Sequence, residues 1–160
     1  MQNFTILNTR DVKQVKEVME EDFGYALQGE YAFLKTEGDK LFLISKDLGN
    51  IDFSRLRIDK CGLYFAEFKE KKLRLSKEGA QLLVQEATMQ KKEVQNLVPL
   101  TTEETKVYFA GHDLPRDLGE EAKAVILSYE DNVLGWAKYK EGKILNFLPK
   151  IHRGEVILSP

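Results

Sequence analysis

The stretch Val133–Arg153 reads VLGWAKYKEGKILNFLPKIHR and combines a strand pattern with a local excess of positive charge. Five cations stand against one anion, Glu141, in a chain whose formal net charge is −2. The cations are Lys138, Lys140, Lys143, Lys150 and Arg153. Two strand-length segments, WAKYK and KILN, flank the turn residues EG, so the stretch predicts a β-hairpin followed by a short basic tail.

The bulk composition is that of an ordinary globular protein. The chain has 160 residues, of which 42% are hydrophobic and 31% charged, enough for one large domain or two small ones. It has no apolar run near the roughly 20 residues of a membrane span, and its N-terminus lacks the pattern of a secretory signal. We therefore expect a cytoplasmic protein with no membrane contact.

The cysteine content limits the chemistry of the chain. Cys61 is the single cysteine, which excludes an internal disulfide and a thiolate cluster for zinc. We expect Cys61 to be a small packed residue of a strand.

The first half of the chain predicts an α+β domain over residues 1–94. Thr9 or Asp11 is expected to cap a helix whose apolar residues recur at helical spacing up to Phe23. The runs EYAFLK and KLFLISK predict a hairpin around TEGD. Because the run from Leu41 to Ile44 is apolar on both faces, its strand should be central in the sheet.

A second hairpin and a second helix are expected to complete this domain. The segment GLYFAEFKEKKLRLS predicts the hairpin, with a charged tip at residues 69–72. Ser76 is expected to cap a helix that runs to about Gln95. Its inner face should carry Ala80, Leu83, Val84 and Ala87.

Residues 95–160 predict a second, mostly β domain. The segments VYFAG, AVILSY, VLGWAKY, KILNFL and EVILS are strand candidates separated by turn residues such as GHDLP, EDN and EGK. This pattern indicates a small β-barrel. Because no Gly/Ser/Pro-rich linker separates the halves, we expect them to pack as one rigid body.

No catalytic motif stands out in the sequence. It lacks a glycine-rich dinucleotide turn, a phosphate-binding loop, G-x-S-x-G and H-E-x-x-H, so we expect no catalytic residue, cofactor or metal. His112 and Asp113 resemble a base and its orienting carboxylate, but they lie in GHDLP, a composition typical of a surface turn. A hydrolase or transferase that uses this pair would need both side chains to line a pocket.

The cations of the opening stretch, called here the basic ribbon, allow two interpretations. Lysines that alternate with apolar residues keep an edge hairpin soluble and discourage strand pairing. In the second interpretation, the basic ribbon binds the phosphate backbone of an RNA. The residues expected to bind are the hairpin lysines Lys138, Lys140 and Lys143 and the basic tail Lys150, His152 and Arg153.

Two neighbouring side chains extend the RNA hypothesis, and a third, Trp136, has a structural alternative. Asn146 offers an amide that can read a base edge or a 2′-hydroxyl, and Tyr139 offers a stacking face. For Trp136 we favour packing in the barrel interior over base stacking, since it follows Gly135, where close backbone approach is expected.

The order LGW, Lys, Gly, Asn, Pro-Lys, Arg resembles the C-terminal PUA-like domain of RNA 5-methylcytosine methyltransferases of the RsmF/Sun type. Two positions depart from that pattern: Ala137 replaces a usual glycine, and Leu145 replaces a lysine that would supply a phosphate contact. The matching positions are Leu134, Gly135, Trp136, Lys138, Gly142, Asn146, Pro149, Lys150 and Arg153.

The upstream hairpins and helix are similar to the pre-PUA domain of archaeal and eukaryotic ribosome-assembly proteins and of the same methyltransferases. The catalytic domain of those methyltransferases, with its proline-cysteine motif, has no counterpart, since Cys61 follows Lys60. The resemblance therefore implies a free-standing recognition module without the enzyme.

These observations predict a non-catalytic RNA-binding accessory protein in rRNA or tRNA modification or in ribosome biogenesis. The expected RNA contacts are Lys138, Lys140, Lys143, Asn146, Lys150, His152 and Arg153. Expected partners are rRNA or tRNA and a methyltransferase or ribosome-assembly protein. The alternative is a protein-interaction adaptor in ribosome assembly that makes no direct RNA contact.

Overall fold

A computed structural model describes residues 4–45 and 62–147 of the chain. Within these ranges the backbone forms two five-stranded sheets and three helices. The fold is therefore α+β, as the sequence predicts.

The first sheet is an antiparallel meander in which neighbouring strands follow one another along the chain. Its strands are β1 (Phe4–Ile6), β2 (Tyr31–Thr36), β3 (Lys40–Ser45), β4 (Leu63–Lys69) and β5 (Lys72–Leu75). β3 lies at the centre of the sheet, with Leu41, Leu43 and Ile44 buried, which confirms the prediction of a central strand. A strand covered on both faces needs apolar residues at successive positions.

Helix α1 (Thr9–Phe23) packs on this sheet through Val15, Met19 and Phe23. Its N-cap is Asn8, so the expectation of Thr9 or Asp11 as the cap is wrong. Asn8 has an extended backbone, and its side-chain oxygen accepts a hydrogen bond from the Asp11 N–H at 2.8 Å. The N-cap is the residue just outside the helical conformation, and Thr9 is already helical.

Helix α2 (Lys77–Met89) begins at the predicted cap, because the Ser76 hydroxyl accepts from the N–H of Gly79 at 2.9 Å. The helix ends at Met89, which corrects the predicted end near Gln95. Lys91 has a positive φ of 56°, and the N–H of Lys92 returns to the carbonyl of Ala87 at 2.8 Å. This hydrogen bond is the mark of a Schellman end, here formed without the usual glycine.

The second sheet has the order β6-β8-β9-β10-β7, with β6 parallel to β8 and the other pairs antiparallel. Its strands are β6 (Leu97–Pro99), β7 (Leu114–Pro115), β8 (Lys123–Tyr129), β9 (Asn132–Lys140) and β10 (Lys143–Leu145). The strands predicted from AVILSY, VLGWAKY and the first part of KILNFL are confirmed. EVILS lies outside the described residues.

The segment VYFAG is not a strand, because its first residues lie in helix α3 (Thr102–Phe109). Thr101 and Glu104 form a capping box in which each side chain accepts a hydrogen bond from the other's backbone N–H. Thr105 and Tyr108, three residues apart, are the buried residues of this helix. The capping box starts a helix one turn before the β-prone residues, and the helix continues through them.

The middle of the β8–β9 pair is covered on both faces, so it packs against the cores of both sheets. Val125 and Ala137 lie in the core of the second sheet, whereas Ile126 lies in the core beneath α1 and α2. The backbone N–H of Gln95 also donates to the carbonyl of Phe23 at 2.7 Å. The two halves therefore share apolar contacts without a separating linker.

No helix in the described ranges has the length and apolar character needed to span a membrane. In the same part of the chain, no three His, Cys, Asp or Glu side chains are close enough together to hold a metal ion.

Candidate nucleic-acid interface

The hairpin β9–β10 places Lys138, Lys140 and Lys143 on one face of the second sheet. Lys143 lies directly opposite Lys140, and Lys138 is two residues before Lys140 on the same strand. Glu141 and Gly142, both with positive φ, form the turn. These three hairpin lysines share a face because side chains alternate along a strand and pair across it.

The charges of the three hairpin lysines are available to a ligand. Lys140 and Lys143 are exposed and Lys138 is half-buried. Among the residues that the structure describes, none of the three forms an ion pair. This face of the hairpin is therefore positively charged.

Tyr139 lies on the opposite face, so the hypothesis that it stacks on a base is wrong. Its side chain is 1% exposed and belongs to the core of the second sheet. The hydroxyl donates to the Gly119 carbonyl at 2.8 Å and accepts from the Leu118 N–H at 3.0 Å. Alternation along β9 sends Tyr139 inward when Lys138 and Lys140 point outward.

Trp136 lies between the two sheets, which corrects the prediction that it fills the barrel interior. It is half-buried, pairs across the strands with Ile126 and packs against the core of the first sheet. Its face of β9 is the face of the three hairpin lysines, since it is two residues from Lys138.

Arg74 and Phe147 contact the Trp136 ring, and these three residues are called here the Arg74 cluster. The guanidinium carbon of Arg74 lies 5.6 Å from the Trp136 ring centre and 4.8 Å from that of Phe147. The two rings are 5.6 Å apart at 44°. Distances of this size are those of cation–π and tilted aromatic contacts.

A glycine is favoured at position 135 because of its backbone conformation. The prediction of a close backbone approach at Gly135 is wrong. Its φ is 150°, and no heavy atom lies within 4 Å of the place where a Cβ would stand. The register of β8 and β9 shifts at this point, because Leu127 pairs with Gly135 and Ser128 with Val133. The bulge leaves Leu134 between the two pairs.

Asn146 is held by the end of α3 and the turn that follows it. Its side-chain nitrogen donates to the carbonyls of Tyr108 and His112, at 2.7 Å and 2.9 Å. Its backbone N–H donates to the Asp113 carboxylate at 2.8 Å. Both amide hydrogens thus serve the fold, and the RNA contact of Asn146 remains a prediction.

The pair His112 and Asp113 is exposed in the turn between α3 and β7. The carboxylate of Asp113 accepts the Asn146 N–H, and neither residue lines the two grooves described below. These observations favour the surface-turn interpretation over a catalytic pair.

A first groove, of about 480 Å³, runs between the β4–β5 hairpin, the end of α1 and the β8–β9 ribbon. Burial, and then the neighbouring Glu21, raise the pKa of Asp22 above its ordinary value. The cations that line it are Lys69, Lys71, Lys72, Arg74, Lys123 and Lys138, and the anions are Glu21, Asp22, Glu67 and Glu70. Six cations against four anions leave this groove positively charged.

A second groove, of about 630 Å³, lies between β5, the start of α2, α3 and β9. Its aromatic lining is Tyr64, Tyr108, Phe109, Trp136 and Phe147. Its charged lining is Arg74, Lys77, Glu67 and Glu78, so its charges balance. Arg74, Trp136 and Glu67 line both grooves, which are therefore adjacent.

Residues 95–153 match the family model described as the methyltransferase RsmF PUA domain. This part of the chain is similar to a PUA domain. The expected resemblance to the C-terminal region of RsmF-type methyltransferases is thereby confirmed. The match includes the β9–β10 hairpin and Trp136 and ends at Arg153.

Similarity to a known protein extends beyond residues 95–153. The chain is 23% identical over 159 residues to the ribosomal RNA small subunit methyltransferase F of Shewanella sp. (strain MR-4). The alignment covers 98% of this chain and 32% of that protein, so the chain spans about a third of the length of the relative.

Sequence reasoning missed two side chains of the Arg74 cluster, one from the first sheet and one that follows β10. Arg74 is exposed between buried Leu73 and Leu75, a period-2 pattern that predicts an outward side chain but not its neighbour. Phe147 is 40% exposed, and it was not distinguished from a strand residue of KILNFL. Lys150, His152, Arg153 and Cys61 lie outside the described residues, so their predicted roles are unchanged.

Proposed function

We propose that this chain is an RNA-binding module that positions structured RNA through its PUA-like domain. The observation that carries the proposal is the common face of Lys138, Lys140 and Lys143, which form no ion pair among the described residues. Trp136 lies on the same face of β9, and its ring contacts the exposed ring of Phe147. Positive charge supplies most of the sequence-independent affinity for a polyanion, and aromatic rings add stacking on unpaired bases.

The name of the relative makes ribosomal RNA the first ligand to test, with tRNA second. We propose a role in RNA modification or ribosome biogenesis in the cytoplasm, in which residues 1–94 form a domain that contacts the same RNA or a protein such as a methyltransferase. Residues 95–160 would form the RNA-binding domain. The similarity to the relative extends over both parts.

We further propose that the chain acts without catalysing a reaction. The sequence offers no glycine-rich cofactor turn and no proline-cysteine motif. The purified chain should neither bind S-adenosylmethionine nor transfer a labelled methyl group to RNA. Methyl transfer by the pure protein would contradict this part of the proposal.

The test of RNA binding replaces Lys138, Lys140 and Lys143 together by glutamine. If each lysine neutralises one phosphate, the affinity of the parent protein for unpaired RNA changes with log salt by about −0.7 per contact, so three contacts give about −2. This slope corresponds to roughly a twentyfold loss of affinity between 50 and 200 mM salt. The triple variant should bind more weakly to every RNA tested and lose that salt dependence.

A matched control removes three cations elsewhere. Arg10, Lys13 and Lys92 are exposed and line neither groove, so their replacement by glutamine changes the net charge equally. Fluorescence anisotropy with labelled small-subunit rRNA hairpins and a tRNA measures both proteins, with folding checked by circular dichroism. The adaptor hypothesis replaces the RNA-binding hypothesis in either of two cases. The parent protein binds none of these RNAs at 50 mM salt, or the triple lysine variant is folded and binds them as tightly as the control variant does.

A further inference from the structure

The second groove is suited to a flat, uncharged group. Five aromatic side chains line it, and its two cations are balanced by two carboxylates. A phosphate would therefore be drawn to the adjoining first groove, where cations exceed anions. The second groove instead offers ring faces and a planar guanidinium.

The Arg74 cluster presents this stacking surface at the mouth of the groove. Phe147 is 40% exposed and Arg74 is exposed, so both can be reached from solvent. The guanidinium lies over both rings, at 4.8 Å and 5.6 Å from their centres. Nucleobases that are unpaired stack on aromatic rings and on guanidinium planes in this way.

The position of the cluster relative to the hairpin lysines links base and backbone. Trp136 and Lys138 are two residues apart on one face of β9, a separation of about 7 Å. Arg74, Trp136 and Glu67 line both grooves, so a strand whose phosphates follow Lys138 passes directly beside the aromatic lining. A base turned out of such an RNA strand would face the second groove.

We propose that the second groove holds one unstacked nucleobase of the bound RNA, stacked against Phe147 and the guanidinium of Arg74. The inference rests on the proposed function and adds a site to it. It also assigns RNA contact to the first sheet, because Arg74 belongs to β5. The ligand class is a single unpaired nucleotide in a loop or bulge.

The first experiment uses the full chain and two RNA hairpins with the same stem. One has a normal loop, and the loop nucleotides of the other are abasic, so the phosphates are kept and the bases removed. The protein should bind the normal hairpin about five- to hundredfold more tightly, the range expected for one stacked base. Trp136 is the single tryptophan of the chain, so quenching of its fluorescence by the normal hairpin alone would report on the groove.

Two substitutions then test the site itself. Phe147→Leu keeps an apolar side chain without the ring, and Arg74→Lys keeps the charge without the planar guanidinium. Each should reduce the preference for the normal loop several-fold while leaving the salt dependence on the abasic hairpin unchanged. Arg10→Lys makes the same change of a cation at an exposed position, and Met89→Leu exchanges one exposed apolar side chain for another. Both positions lie outside the two grooves, so both variants should keep the preference.

The outcomes separate this inference from the proposed function. If the parent binds both hairpins equally, with a salt dependence that the three hairpin lysines control, RNA binding stands and the base site is overturned. A preference that survives both substitutions in folded proteins also overturns it, because the Arg74 cluster is then packing between the sheets. If the parent binds neither hairpin, the proposed function itself fails.

Discussion

The side-chain amide of Asn146 donates a hydrogen bond to the carbonyl oxygen of Tyr108 at 2.7 Å, which fastens the end of β10 to the end of α3. A second hydrogen bond, to the His112 carbonyl at 2.9 Å, holds the turn after that helix. The residue predicted to read RNA therefore holds α3 and its following turn against the end of β10.

Replacement of Asn146 by alanine should lower the free energy of unfolding by about 1–3 kcal/mol, because the partly buried carbonyl of Tyr108 and the exposed carbonyl of His112 both lose a donor. Urea unfolding measures the loss. Asn132→Ala, at the exposed first residue of β9, should stay within about 0.5 kcal/mol of the parent. A variant at Asn146 that is fully stable but altered in RNA preference would show that the amide serves recognition first.

The hydroxyl of Tyr139 should stabilise the loop before β8. Tyr139→Phe leaves the Leu118 N–H and the Gly119 carbonyl without this partner, at a cost of about 1–3 kcal/mol. Hydrogen exchange at the Leu118 amide should become faster. Tyr129→Phe removes an exposed hydroxyl contact with Thr102 and should cost under about 1 kcal/mol; equal losses at the two tyrosines would contradict this prediction.

The carboxylate of Glu86 holds the segment between α1 and β2. It accepts hydrogen bonds from the Tyr25 hydroxyl at 3.0 Å and from the N–H groups of Gln28 and Gly29 at 2.9 Å and 2.7 Å. Glu86→Gln should lower the free energy of unfolding by about 1–3 kcal/mol, since an amide cannot accept all three in the same way. Glu93→Gln is the exposed control, and a variant at Glu86 as stable as this control would refute the assignment.

The pH dependence of stability should report on Tyr25. Burial, and then its hydrogen bond to Glu86, raise the pKa of Tyr25 to about 12 from an ordinary value of 10.0. The folded state thus favours the neutral phenol. The contribution of Tyr25 to stability is therefore complete below pH 10 and is lost as the pH rises through about 12. The free energy of unfolding, measured with urea, should fall more steeply from pH 9 to 12 for the parent than for Tyr25→Phe. Parallel pH dependences of the two proteins would contradict the raised pKa of Tyr25.

The approach of α2 to β4 should not tolerate a methyl group at Gly79. A Cβ there would overlap the carbonyl oxygen of Phe65, which is backbone and cannot move aside. Gly79→Ala should therefore cost about 3 kcal/mol or more. At Gly38 the nearest atom to a Cβ is 3.9 Å away, so Gly38→Ala should be neutral or stabilise by up to about 1 kcal/mol. Thermal unfolding distinguishes the two, and similar melting temperatures would refute the contact.

Local features of the fold are readable in the sequence because neighbouring residues produce them. The Ser76 cap needs only the N–H of Gly79, and alternation alone places Lys138 and Lys140 on one face of β9. The apolar run Leu41 to Ile44 predicts a central strand for the same reason, since a strand covered on both sides has no polar face. The order of residues from Leu134 to Arg153 similarly indicates the PUA-like domain.

The remaining features depend on partners that are distant in the chain. Tyr139 packs in the core of the second sheet, and Trp136, on the other face of β9, packs against the core of the first. Because both side chains are aromatic, the sequence alone does not show which of them faces the interior of the second sheet. Helix α2 ends at Met89 because Schellman hydrogen bonds form there, and α3 extends into VYFAG because a capping box starts it. Both outcomes override the local preferences of the residues. Arg74 meets Trp136 and Phe147 across 62 and 73 residues, because apolar burial between the sheets brings them together. The sequence by itself determined strands β2–β5 and β8–β10, the Ser76 cap and the charge of the hairpin. The tertiary structure decided which groove that charge adjoins, since burial free energy is non-directional and acts only once distant segments meet.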